Sequence, residues 1–203
     1  MNLNELPFNA FDVAFVGILI CGIYRGRKHG MSEELMSLLK WVAVVIACAI
    51  FYEPLGLRMA QSTPFSLLAS FMFVYAGGAM LILALFGLLK NQLGGKLVGS
   101  DIFGRSEYYL GMGSGFVRFA CMTLAVLALL NATYISPAQA QAMERFQNDM
   151  YGSNYFPTLH TAQEVVFERS LTGSWIRDHL GFLLIKPTAP EDKQLHQKEA
   201  SLP

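Results

Sequence analysis

Asp12 is the first residue of this chain that could do chemistry within an apolar segment. It follows Asn9 by three residues, so an N-cap at Asn9 would place the carboxylate in the first turn of a helix, where it interacts favourably with the helix dipole. The functional alternative is a proton relay, because a carboxylate inside a membrane helix is costly and often functional. We favour the structural interpretation.

Arg118 is the second such residue. On a helix it would lie about 10 Å beyond Gly111, at 1.5 Å per residue. An arginine at that depth either reaches the polar face of a membrane or pairs with an internal acid. Glu33 and Glu34 lie at a matching depth, whereas Asp12 lies near the opposite face. We therefore predict that Arg118 pairs with Glu33 or Glu34.

The remaining reactive side chains form no catalytic or metal-binding pattern. The three cysteines follow no zinc spacing and fall in apolar segments, where small packing residues are common. The four histidines are scattered, and the chain has no phosphate-binding loop or nucleophile elbow. We therefore expect no enzyme activity, no cofactor and no metal. The cysteines are Cys21, Cys48 and Cys121, and the histidines are His29, His160, His179 and His196.

Glycine spacing is more informative than any reactive group. Gly22, Gly26 and Gly30 lie four residues apart, as do Gly111 and Gly115. On a helix such residues share a face, and their missing side chains let a second backbone approach closely. For Gly26 and Gly30, a helix end followed by a turn is an equal alternative. For Gly111 and Gly115 we favour close packing.

Four long apolar segments would position these residues. The longest, Phe65–Leu89, has twenty-five residues and no charge, about the length needed to cross ~30 Å of hydrocarbon. The composition agrees, with 53% hydrophobic and 15% charged residues. We predict an all-α polytopic membrane protein with four transmembrane helices and a short helical C-terminal tail. The other three spans are Phe8–Tyr24, Leu35–Phe51 and Phe119–Ile135.

Lysine and arginine are concentrated in the first and third loops between these spans. Basic loops stay in the cytoplasm, so we predict that both termini face outward, into the periplasm of a bacterial cell. The net charge of zero and the lack of a dense basic stretch argue against nucleic-acid binding.

Residues 9–135 resemble the CvpA (colicin V production) family. Leu110-Gly111-x3-Gly115-x2-Arg118 is similar to its second signature, although Glu107-Tyr108 stands for the usual Asp-Arg and Phe119 for the usual Gly. The first helical hairpin carries the other matching residues, which are Asp12, Arg25, Gly26, Gly30, Glu33 or Glu34, Leu38 and Trp41.

The resemblance implies a non-enzymatic, multi-pass protein of the bacterial inner membrane. Its role would be that of an accessory factor or scaffold in peptide toxin production or export and in envelope homeostasis. The expected partners are the lipid bilayer, an envelope or export-machinery protein that meets the tail, and further copies of the chain. The alternative is a small oligomeric channel or transporter. That class should show broken helices and charges near the membrane midplane.

The tail divides into two predicted parts after a membrane domain of residues 1–135. Residues 136–186 should form a helical periplasmic segment, and residues 187–203 should be disordered. Ser136 and Gln139 form a capping-box pattern for a helix that reaches Met150. Two further short helices are predicted at Thr161–Ser170 and Trp175–Ile185. The second should pack on the bundle or lie on the outer leaflet, and we favour packing.

Overall fold

The structure is a computed structural model that describes residues 9–97, 104–151 and 158–189. Most of these residues are helical and none forms a strand, which confirms the predicted all-α class. Three helices are long and apolar enough to cross a membrane. The α-helices are α1 (Ala10–Ser62), α2 (Leu67–Leu97), α3 (Glu107–Asn131), α4 (Pro137–Tyr151), α5 (Leu159–Gln163) and α6 (Leu171–Leu180). Shorter turns are Gly104–Ser106, the π-helical Glu164–Glu168 and Gly181–Leu183.

α1 is a helical hairpin that reverses at Gly30, whose backbone is not helical (φ 73°, ψ 172°). Asp12 and Tyr52 would lie about 60 Å apart on a straight helix. Both nevertheless bond to the tail, Asp12 to Ser170 and Tyr52 to Lys186. The helices joining those two tail residues reach only about half that distance. The limb of residues 10–29 therefore runs away from the tail, and the limb of residues 31–62 returns to it.

The sequence predicted a loop between the first two spans, and this prediction is wrong, because nearly all of that segment is helical. Residues 25–29 and 31–40 are helical, and the reversal occupies Gly30 alone. α2 likewise continues past Lys90, through the start of the predicted third loop. α3 begins at Glu107, twelve residues before the predicted Phe119, and ends at Asn131 rather than Ile135. Hydropathy marked where apolar residues begin and end, but charged residues can extend a helix beyond the hydrocarbon.

The core lies between the second limb of α1, α2, α3 and the tail. Tyr52 packs edge-on against Phe71, with ring centroids 5.5 Å apart. Ala128 of α3 and Ile185 of the tail are fully buried in the same cluster. Large apolar side chains cover much of the outward surface of the long helices. That distribution suits hydrocarbon surroundings rather than water.

The tail packs on one end of this bundle, which we call the tail end. Asn131 Nδ2 donates to Ile185 O (2.9 Å), and Thr188 N donates to Ala132 O (2.9 Å). Lys186 Nζ lies 2.8 Å from Glu53 Oε1, and the hydrogen bonds and charge of Glu53 raise the pKa of Lys186. The tail thus docks on the bundle, as the favoured interpretation predicted.

The predicted tail helices are only partly matched. α4 occupies the predicted positions, and its capping box forms through Ser136 and Gln139. The helix predicted at Thr161–Ser170 is the short α5 followed by a π-helical turn. The helix predicted at Trp175–Ile185 begins earlier, as α6 at Leu171, and ends as a 3₁₀ turn. Disorder was predicted from residue 187, but Thr188 is hydrogen-bonded to Ala132 and Tyr134, and residues 190–203 lie outside the described residues.

Candidate functional site

A glycine seam joins the first limb of α1 to α3. Gly26 faces Gly111 and Gly115, and a Cβ at any of the three would meet a backbone carbonyl oxygen of the facing helix. Gly22 lies opposite Gly115 and the Phe119 ring. The two backbones therefore approach more closely than side chains would permit. Both halves of the glycine pattern serve close packing, as predicted for Gly111 and Gly115.

Gly30 makes the turn between the two limbs of α1, at the end of the bundle opposite the tail end. We call this the hairpin end. Its positive φ is a conformation that glycine adopts at little cost, and a Cβ there would meet the Glu107 side chain. Glu107 Oε1 accepts a hydrogen bond from Ser32 N (3.3 Å), at the start of the returning limb. A carboxylate on the free N–H groups of a helix start stabilises that start. Gly26 therefore allows close packing against α3, and Gly30 allows the chain to reverse direction.

An ion pair links the returning limb to α3. Arg118 Nη1 lies 2.6 Å from Glu34 Oε2, and the two side chains are 14% and 5% exposed. Glu33, the other predicted partner, is exposed. Residues 32 and 34 follow the turn at Gly30 directly, so the seam and the ion pair fix the hairpin against α3 from both limbs.

Several buried polar atoms around this pair have no hydrogen-bond partner. They include Arg118 Nε, Ser114 Oγ one turn before it, and Ser32 Oγ. An unpaired buried polar group costs ~1–3 kcal/mol, and a water held between such groups would satisfy them. Trp41 Nε1 is likewise unpaired, although its ring packs against the core cluster.

Asp12 caps α1 and also holds the tail. Its Oδ2 accepts from Asn9 N (2.9 Å), so the predicted N-cap and first-turn carboxylate are present. Its Oδ1 accepts from Ser170 Oγ (2.7 Å) and Thr172 N (2.9 Å). The side chain is buried and makes bonds to residues that sequence spacing could not have placed beside it. Its observed contacts are structural.

Most of the predicted residues fall into two groups at opposite ends of the bundle. Asp12 lies at the tail end, and Trp41 lies between the ends, against the core cluster. The others lie at or near the hairpin end, with Arg25 exposed on the first limb. Sequence reasoning did not assign roles to Glu107 or Phe119, although both occupy positions where the chain departs from the CvpA signature. The residues at or near the hairpin end are Arg25, Gly26, Gly30, Glu33, Glu34, Gly111, Gly115 and Arg118.

The described polar contacts of this arrangement hold helices and limbs together. Within residues 9–97, 104–151 and 158–189, no group of three or more His, Cys, Asp or Glu residues could hold a metal ion. The ion pair joins two limbs, and the carboxylates of Glu107 and Asp12 cap helix starts. Glu34, Arg118, Glu107 and Asp12 therefore each make a structural contact.

Comparison with known protein families places the chain in a family. The model of the family described as "Colicin V production protein" matches residues 11–162, well over half of the chain. The chain belongs to the colicin V production protein family. No curated protein matches the chain, and no solved structure does.

The matched range of the colicin V production family runs from the first turn of α1 into α5. It includes the glycine seam, the Glu34–Arg118 pair and α4. Two of the residues that depart from the expected signature, Glu107 and Phe119, make contacts with the first limb or its turn. Glu107 supplies an acid beside Gly30, and the Phe119 ring lies against the side of Gly22, where no side chain competes for the space.

Proposed function

We propose that this protein is a non-enzymatic accessory or scaffold protein of the bacterial inner membrane. Its role would be in peptide toxin production or export and in envelope homeostasis. Family membership supports the general role. The glycine seam is the observation that carries the scaffold function, because backbone-to-backbone packing makes a rigid unit that a partner can recognise.

The proposed topology has four crossings. The first limb, with residues 10–29, is about 30 Å long, which is the hydrocarbon thickness. The second limb, α2 and α3 provide three more crossings. Arg25, Arg27 and Lys28 lie beside the hairpin end, which the positive-inside rule assigns to the cytoplasm. The tail end, with both termini, is then periplasmic.

The tail offers a surface to a periplasmic partner. α4 exposes Met143, Phe146 and Met150, and an open apolar cavity of about 610 Å³ lies between this helix and Thr133, Ile135 and Leu159. Apolar surfaces of this kind are common at protein–protein contacts. An envelope or export-machinery protein that binds here would connect the membrane unit to its pathway.

A channel or transporter is the competing function. The buried unpaired atoms near Arg118 favour it, since they could line a polar path. The cavity between the second limb, α2 and α3 supports the scaffold instead, because most of its lining is apolar. That lining is Trp41, Val44, Tyr75, Ala76, Ala79, Leu83, Met122, Ala125, Val126 and Leu129.

The test uses cells that carry a colicin V-type export system. It compares toxin export between cells that lack this protein and cells that have the parent gene. Secreted toxin should fall on deletion and return with the parent gene. A photo-crosslinking residue at Phe146 should capture an envelope protein, and the same residue at Gln141, an exposed polar position of α4, should capture less. Unchanged secretion on deletion would refute the accessory role. Ion flux through purified protein in liposomes would favour the channel.

A further inference from the structure

The tail has two apolar faces, of which the bundle covers one. Val166, Phe167, Ile176 and Ile185 are buried in the same cluster as the long helices. On α6 and the turn that follows it, three large apolar side chains remain outside. Leu171 is 51% exposed, Trp175 is 54% exposed and Phe182 is 73% exposed.

This second face adjoins the lipid-facing surface of α1. Leu171 lies between Ser170 and Thr172, the two residues that bond to Asp12 Oδ1. Val13, next to Asp12, is 69% exposed on a helix apolar enough to cross a membrane. The apolar surface of the first limb therefore continues onto α6 where α1 begins, at the edge of the hydrocarbon.

The chemistry of the face suits that depth. Trp175 stacks on His179, with ring centroids 4.9 Å apart, so an apolar ring lies beside a polar one. Arg177 and Asp178 lie between these two residues in the sequence and are exposed. Tryptophan is enriched at the membrane–water boundary because its ring is apolar and its N–H is polar. Charged neighbours would face the headgroups.

We propose that Leu171, Trp175 and Phe182 form an interfacial anchor whose partner is the lipid of the outer leaflet. The three side chains enter the boundary between headgroups and acyl chains, while the opposite side of the tail stays packed on the bundle. The anchor is distinct from the α4 surface, which remains available to a protein. It fixes the depth of the tail relative to the membrane.

The chain has two tryptophans, which allow a direct test. Trp41→Phe leaves Trp175 as the only tryptophan, and Trp175→Phe leaves Trp41 as the matched control. Each variant is placed in phosphatidylcholine nanodiscs, whose two faces are both open to solvent. The lipids are unbrominated, brominated close to the headgroup or brominated close to the chain ends.

Trp175 fluorescence should be quenched most by bromine close to the headgroup and little by aqueous iodide. Trp41, which lines the cavity between the long helices, should respond more strongly to bromine near the chain ends. If iodide quenches Trp175 and brominated lipid does not, while Trp41 still responds to lipid, the anchor is refuted. The α6 face would then be open to a soluble protein. If lipid quenches neither tryptophan, both the anchor and the membrane topology fail.

Discussion

Arg118 and Glu34 form a buried ion pair, and each charge is stable in these low-dielectric surroundings only while its partner is present. Their side chains are 14% and 5% exposed, so neither can be rehydrated cheaply if its partner is lost. Arg118→Ala should therefore lower the free energy of unfolding by about 3–5 kcal/mol. Thermal melting in detergent and accumulation in membranes would measure the loss.

The control for Arg118 is Glu33→Ala, because Glu33 is exposed beside Glu34. This variant should accumulate and melt like the parent, whereas Glu34→Ala should resemble Arg118→Ala. If Arg118→Ala and Glu33→Ala behave alike, the ion pair contributes no stability. The double replacement Glu34→Leu with Arg118→Leu should recover much of the loss, since it leaves no unpaired charge.

Asp12 provides a second prediction at the residue scale. Asp12→Ala removes the acceptor shared by Asn9, Ser170 and Thr172, and each hydrogen bond to a charged group contributes ~1.5–3 kcal/mol. The tail should undock more often, so trypsin cleavage after Arg169 or Arg177 should be at least about tenfold faster, the factor that ~1.4 kcal/mol gives. Gel analysis of timed digests would show it.

The contrasting contact is Glu53 with Lys186, which also ties the tail to the bundle but is largely exposed. Solvent screens such a pair, so Glu53→Gln should leave the digestion rate unchanged. Equal rates for Asp12→Ala and the parent would show that the hydrogen bonds of Asp12 are not needed to hold the tail.

At the scale of elements, α3 contains its own matched control. Gly115 faces the Gly22 backbone, whereas a Cβ at Gly113 would meet nothing within 4 Å. Gly115→Ala should destabilise the bundle by roughly 1–3 kcal/mol through overpacking. Gly113→Ala should be neutral or stabilising by up to ~1 kcal/mol, because alanine is the better helix former. Melting curves that do not differ would contradict the seam.

The same elements show how far the sequence could be interpreted. The spacing of Gly111 and Gly115 predicted close packing, because small residues one turn apart have few other uses in an apolar helix. For Gly26 and Gly30 the local pattern supports packing and turning equally. Only the contacts with the facing helix distinguish packing from turning, because Gly26 meets Gly111 and Gly30 meets Glu107. Asp12 was likewise predictable as a helix-start residue, but its bond to Ser170 spans 158 residues.

At the scale of the whole molecule, the proposed orientation can be tested by labelling. Lys28 lies near the hairpin end and Gln141 lies on α4, and both are exposed. Single cysteines at these positions, in a chain lacking Cys21, Cys48 and Cys121, should differ in intact cells with a permeable outer membrane. An impermeant thiol reagent should label position 141 and spare position 28, because basic residues keep the hairpin end in the cytoplasm. The reverse pattern would invert the topology.

The separation of Glu34 and Arg118 along the chain also determines how long Glu34 lacks its partner during synthesis. The two residues are 84 positions apart, and ribosomes add about 5–20 residues per second. The newly inserted hairpin therefore waits roughly 4–17 s for α3. Throughout that interval its glycine face is uncovered and its acid is unneutralised. Replacements at Arg118 would leave the acid unpaired after α3 has arrived, so we expect newly made chains to stay open to proteolysis for longer.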